Sequence, residues 1–271
     1  VEKFSKYQAL GNDFVILDRR HFGGDIDAAT AVRLCDRRRG VGADGVLVLL
    51  GVAGVDAQLR IHNPDGSVAQ MCGNGLRCVA RYLRTPLGVF PRPILIGTDV
   101  GTREASFDES GTQITVDLGP AAFTAAQLPK ASDGGPFLEQ RIDGELATAV
   151  SVGNPHLVLL EAALDDAPTE GPRLERFPGF CEGTNVEFCR QQGAGLSVRV
   201  WERGAGLTQA CGSGAGAAVA AYLRAGRLAA GEWHSVELPG GALLVKVDAD
   251  FQHVWLKGDA SKVFEGTIDD G

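Results

Sequence analysis

AQMCGNG at residues 69–75 and TQACGSG at residues 208–214 are one motif written twice. In each, a cysteine precedes a Gly-x-Gly turn and then a stretch with helical spacing. LRCVARYLR places Leu76, Val79, Ala80 and Leu83 on one face, and AGAAVAAYLRAG is alanine-rich with Gly226 near its end. Cys72 and Cys211, 139 residues apart, therefore open two equivalent helices.

The match extends outward in both directions. GNDFVILD from Gly11 answers GNPHLVLL from Gly153 at an offset of 142, and GADGV answers GTNVE, setting Gly45 against Asn185 at 140. The cysteine offset also brings Asn63 to Glu202, and VDLGPAAF from Val116 resembles VWLKGDA from Val254 at 138. Five anchors in one order, drifting by a few residues, mark an internal duplication. Strand-like segments surround each cysteine helix: FVILD, GVLVLL, AQLRIHN and QITVDL in the first half, VSVGNPHLVLL, LSVRVWE, ALLVKV and HVWLKG in the second. The fold class is α+β, twice, with the joint soon after VDLG, where Gly119-Pro120 breaks the alternation of Val116, Asp117 and Leu118.

With 271 residues, net charge −8 and 44% hydrophobic residues, the chain suits one large or two medium globular domains with real cores. Nucleic acid is not expected as a partner, because phosphate binding needs a clustered basic face and the one arginine cluster, Arg37 to Arg39, reads as a solvated helix end. No apolar run nears the ~20 residues that span a bilayer, and VEKFSKYQALGNDF lacks the pattern of a signal peptide. The expectation is a cytoplasmic protein with no membrane partner. The six cysteines, at 35, 72, 78, 181, 189 and 211, form no Cys-x-x-Cys and no zinc spacing with histidine, so no metal is expected.

Free cysteine is usually a small buried hydrophobe, and Cys35, Cys78, Cys181 and Cys189 keep that reading. The duplicated pair asks for another. A thiol at a helix N-terminus sits beside unpaired amides, where an anion is favoured and the thiol pKa falls from about 8.5. Inverting an α-carbon without a cofactor requires a base on one face and an acid on the other, which two such loops supply. Helix N-termini directed at the substrate carboxylate would stabilise the carbanion. Two cofactor readings fail. GVGADG at 40–45 fits Gly-x-Gly-x-x-Gly, but a helix-like stretch precedes it and a strand follows, the reverse of dinucleotide binding. Pyridoxal phosphate needs a Schiff-base lysine with a phosphate cradle, and none of the six lysines lies in a glycine-rich loop.

In order along the chain, FSKYQALGNDFVILD, RRRGVGADGVL, IHNPDGSVAQMCGNGLRCVARYL, VGNPHLV, GTNVEF and WERGAGLTQACGSGAGAAVAA resemble the diaminopimelate epimerases. The resemblance implies two pseudo-symmetric domains, each a mostly antiparallel sheet wrapped around a central helix. Residues 1–118 plus 261–271 would carry Cys72, and residues 119–260 would carry Cys211. It implies Cys72 and Cys211 as the acid–base pair, with Gly73, Asn74, Gly212 and Ser213 offering backbone amides to the reacting carboxylate. Asn12, Asn63, Asn154, Asn185, Glu202 and Arg203 would surround the substrate, Arg203, Asn63 and Asn185 meeting its distal carboxylate, with His156 as an accessory group. The implied substrate is a small amino acid, 2,6-diaminopimelate, and the implied assembly a homodimer. Three positions depart from the family pattern: Gly45 where some members have glutamine, Leu207 where glutamate is frequent, and Trp201 in place of tyrosine. The open alternatives are a racemase for another amino acid, such as histidine, and a non-catalytic thiol switch.

Overall fold

The computed structural model describes residues 1–87 and 92–268. The chain divides into two compact units, Val1–Val116 with Gly258–Gly271, and Asp117–Lys257. In the first unit the elements are β1 (Glu2–Ala9), β2 (Asn12–Arg19), α1 (Ala28–Cys35), β3 (Gly45–Leu50), β4 (Ala57–His62), β5 (Val68–Ala69), α2 (Gly73–Leu87), β6 (Ile94–Thr98), β7 (Gly101–Phe107) and β8 (Ile114–Asp117). The second contains β9 (Gln140–Ile142), β10 (Glu145–Ser151), β11 (Pro155–Leu160), α3 (Ala167–Leu174), β12 (Asn185–Gln192), β13 (Gly195–Glu202), β14 (Gly206–Leu207), α4 (Gly212–Arg224), β15 (His234–Leu238), β16 (Gly241–Val247) and β17 (Val254–Gly258). A last strand, β18 (Ser261–Ile268), pairs antiparallel with β1 in the first unit.

Strand pairing repeats along with the sequence. β1–β2 and β10–β11 are antiparallel hairpins; β2–β3 and β11–β12 are parallel, with Phe14 opposite Gly45 and His156 opposite Asn185. β3–β4 and β12–β13 are antiparallel, and β4–β6 and β13–β15 are parallel. Strands in a parallel pair covered on both faces read as continuous apolar runs, and FVIL, GVLVL and PHLVLL are buried throughout. The expected VSVGNPHLVLL strand is two strands, broken at Gly153, whose φ of +83° turns the chain.

Each unit has one helix against the inner face of its sheet: α2 on β1, β2, β7 and β18, and α4 on β10 to β13 and β16. α4 is buried on every side from Gly212 to Tyr222. Small side chains let the strands come close: a Cβ on Gly216 would stand 2.7 Å from Val254 Cγ1. A shorter helix covers each outer face. α1 packs Ala31 and Leu34 with Val15, Leu17, Val46 and Val48, while α3 packs Ala167 and Leu174 with Leu157, Leu159, Val186 and Phe188. Cys35, Cys78 and Cys189 are buried as expected of structural cysteines, whereas Cys181 is exposed. No described helix is long and apolar enough to cross a membrane.

Candidate active site

The two cysteines occupy the same local geometry. The carbonyl of Cys72 accepts the first intrahelical bond of α2 from Leu76 (2.9 Å), and its Sγ accepts from the Gly75 amide at 3.3 Å. For Cys211 the acceptances come from Ala215 (3.0 Å) and the Gly214 amide (3.3 Å), so each thiol caps the helix it precedes. Capping normally falls to Ser, Thr, Asp or Asn. The first amides of α2 and α4, at Gly73, Asn74, Gly212 and Ser213, have no acceptor within their own helices and concentrate partial positive charge there.

Around Cys72 the first unit builds a polar chain. The hairpin β1–β2 turns through Leu10 (φ +54°) and Gly11 (φ +78°), a pair of left-handed residues that suits a two-residue hairpin and sets Asn12 at the start of β2. Asn12 accepts from Asn74 Nδ2 at 3.2 Å and donates to Asp44 at 3.0 Å. Asn74 Oδ1 in turn accepts from Arg77 Nη2 at 2.7 Å. Behind Asn12, Asp13 is held by Lys6 and Arg37, both at 2.6 Å, and Arg37 also binds Asp44. Burial pushes the Asp13 carboxyl up, but the bonds from Arg37 and Lys6 outweigh it and hold the group at about 2. Arg37 is thus a brace for the Asn12 loop and more than the solvated helix end its sequence implied. Asn63 donates to Ser67 Oγ at 2.9 Å within its own turn.

Around Cys211 the second unit builds an acidic and deeply buried cluster. His156 and Glu187 are fully buried, with His156 Nδ1 2.7 Å from Glu187 Oε1 and Nε2 2.8 Å from Asn154 Oδ1. A Cβ on Gly214 would meet Glu187 Oε1 at 2.8 Å, which puts this carboxyl under the first turn of α4, and its Oε2 has no hydrogen-bond partner among the described residues. Thr208 Oγ1 donates to Glu202 Oε1 at 2.5 Å, and Cys211 Sγ lies 3.6 Å from Ser213 Oγ. Asn185 spends both ends of its amide on backbone, accepting from the Arg203 N–H (3.0 Å) and donating to the Pro155 carbonyl (3.1 Å). Arg203 extends toward solvent with Nη1 3.3 Å from the Glu182 carbonyl. Trp201 donates to Glu175 at 2.7 Å and packs under Gly171 of α3, while Leu207 is exposed on β14 opposite it.

One expectation is overturned here. The helix terminus was expected to bring the thiols down toward neutrality, yet Cys211 is pushed well up, first by burial and then by Glu202 and Glu187. Burial likewise pushes up Glu202 and Glu187. Loss of water costs this thiolate more than the Gly214 amide and the Ser213 hydroxyl return. Glu187 itself escaped the sequence reading because it sits inside an apolar strand; the available signal was the repeat, which sets Glu187 against Leu47, each packed against the first turn of a cysteine helix.

Duplicated α+β units, each with a buried helix capped by a thiol and flanked by asparagines, define the class of cofactor-independent epimerases, which are isomerases. A model of the family described as diaminopimelate epimerase matches residues 4–124 and 148–263. A diaminopimelate epimerase of Synechococcus sp. (strain JA-3-3Ab) is 45% identical over 280 residues, covering 97% of each chain. One from Desulforudis audaxviator is 43% identical over 276 residues, covering 97% of this chain and 98% of its own. Among solved structures, a phenazine biosynthesis protein of Bacillus anthracis superposes with a TM-score of 0.72 at 17% identity over 99% of both chains. A hydroxyproline epimerase of Agrobacterium vitis gives 0.71 at 14% identity, over 98% of this chain and 90% of the other. The chain belongs to the diaminopimelate epimerase family.

Proposed function

We propose that this protein interconverts LL- and meso-2,6-diaminopimelate without a cofactor, with Cys72 and Cys211 as proton acceptor and donor, and so serves lysine and peptidoglycan precursor synthesis. The observation that carries the reading is the pair of thiols capping equivalent helices in a chain of this family. In one direction a thiolate takes the α-proton: the C–H bond breaks, an S–H bond forms, and the electron pair moves into the carboxylate as an enediolate. The other thiol then gives its proton to the opposite face of the carbon and is left as thiolate. Reversal exchanges the roles.

Burial suits Cys211 to hold its proton between turnovers, as the acid. The amides of Gly73, Asn74, Gly212 and Ser213 are offered to the reacting carboxylate, where the growing negative charge is worth most to preorganised donors. Asn12, Asn154 and Glu202 contact the amino-acid groups, and Arg203, together with Asn63, takes the distal carboxylate through its fork of donors. Asn185 orients Arg203 by its backbone. His156 acts through Asn154 and Glu187. The protein is further proposed to work in the cytoplasm as a homodimer, which light scattering tests.

Purified protein given LL-diaminopimelate, with no metal or pyridoxal phosphate added, should yield the meso isomer by chiral chromatography. Turnover of histidine or proline in place of diaminopimelate would overturn the substrate assignment. Unchanged turnover in Cys72→Ser or Cys211→Ser would overturn the two-thiol chemistry and leave the thiol switch as the better reading.

A further inference from the structure

Arg77 is placed where a cation is costly. It is the largest fully buried side chain of the described residues, at 0% exposure. Its hydrogen bonds go to three neutral oxygens: the Asp259 carbonyl (3.1 Å), the Gly73 carbonyl (3.4 Å) and Asn74 Oδ1 (2.7 Å). Residues on a helix lean back toward its N-terminus, so a side chain at 77 reaches the turn that begins at Cys72. There it faces the positive end of the helix, which disfavours a second positive charge. Guanidinium does not escape by losing its proton, and a buried charge without a counter-charge is strongly destabilising. An anion beside the guanidinium would offset that cost.

The groups near enough for their charge to be felt at Arg77 are Cys78, Cys72 and Asp259. Cys78 is fully buried within α2 and burial pushes it far up, so it stays a neutral thiol. The Asp259 residue is exposed and its charge is screened by water. Asp13, on β2, is already neutralised by Lys6 and Arg37. Cys72 remains: half-buried, capped onto the Gly75 amide, and beside the carbonyl that Arg77 holds. The repeat supplies the contrast. Position 216 corresponds to 77 in the other half and is a glycine, with Val254 Cγ1 filling the space. Cys211 has Glu202 and Glu187 for neighbours instead.

We propose that Arg77 is a positioning residue of the active site, a fixed internal cation that keeps Cys72 in its thiolate form in the substrate-free protein. The two halves of the duplication are thereby made unlike: the first thiol is readied as the base by a cation its partner lacks, and the second is kept as the acid. This rests on the two-thiol reading above. It adds the group that breaks the symmetry.

The test reads protonation, not turnover. The full-length protein without substrate is labelled with iodoacetamide across a pH series, and the rate at Cys72 is followed by peptide mass spectrometry. The midpoint at Cys72 is expected below pH 8, against about 8.5 for an ordinary thiol. Arg77→Met should raise it by about one unit or more, and Arg77→Lys, which keeps the charge and loses the fork, should hold it within a few tenths. A wild-type midpoint at 8 or higher overturns the proposal, as does a folded Arg77→Met variant with an unmoved midpoint. Should Arg77→Met not fold, Arg77→Lys decides with the wild type: a rise of a full unit there means that the hydrogen bonds, not the charge, mattered. Failure here leaves Cys72 essential with an ordinary midpoint, whereas failure of the two-thiol reading shows as turnover without Cys72.

Discussion

At the scale of single residues, a cysteine used as a helix cap serves two ends with one atom. The sulfur accepts the third amide of its helix, and the same amides lie beside any negative charge it gains. Serine is a better cap and a far weaker acid. Cys72→Ser and Cys211→Ser should therefore melt within a few degrees of the parent, while each loses about 10²- to 10⁴-fold or more in turnover. Stability and activity measured on the same samples check this; a matching collapse of both would mean that the thiols are structural. Glu187 gives a sharper case. Glu187→Gln keeps an oxygen for His156, but Glu187→Ala strands a buried ring nitrogen and should cost about 1–3 kcal/mol in urea unfolding relative to the glutamine variant.

Elements place these residues, and their constraints are of two kinds. The β1–β2 hairpin presents Asn12 because Lys6, Asp13, Arg37 and Asp44 pin its tip to the start of β3. The Asp13 carboxyl is held below its usual 3.8, at about 2, so its ionised form stabilises the fold at every pH above about 3.8. That contribution is lost as the pH falls from about 3.8 to about 2. Asp13→Asn should lower stability at pH 6 and flatten this part of the acid limb, as urea midpoints across the range will show. α4 is constrained by closeness: Gly216→Val forces a side chain against Val254 and should cost about 1–3 kcal/mol by the same measurement.

Such elements differ in how far they can be read from sequence. The cysteine helices and the buried strands are visible because their signals are local: a Gly-x-Gly turn, apolar runs, a repeated order of anchors. α1 and α3, which cover the outer faces, have weak patterns; α3 includes Gly171 and Pro172, neither a helix former, and is fixed by packing on Trp201. The role of Glu187 depends on parallel register with β11, and that of Arg37 on a loop folding back to β2. Both are tertiary facts. The upward push on Cys211 was hidden for the same reason, since a motif shows the amides near a thiol but not the water it loses.

Over the whole molecule, duplication supplies two copies of one design, and divergence at a few positions makes their surroundings chemically unlike. Asn63 against Glu202, Leu47 against Glu187 and Arg77 against Gly216 are changes of charge in a conserved frame of strands and helices. In the proposed chemistry two thiols share the proton traffic of one carbon. Its most direct test is conversion of LL-diaminopimelate in deuterium oxide, followed by mass and chiral analysis of the product from the parent protein and from Cys72→Ser and Cys211→Ser. One solvent deuterium is expected at the inverted carbon from the first turnover of the parent, with meso product from either variant formed at least about 10²-fold more slowly. Meso product that retains the original hydrogen, or a serine variant that epimerises at the parental rate, would contradict it.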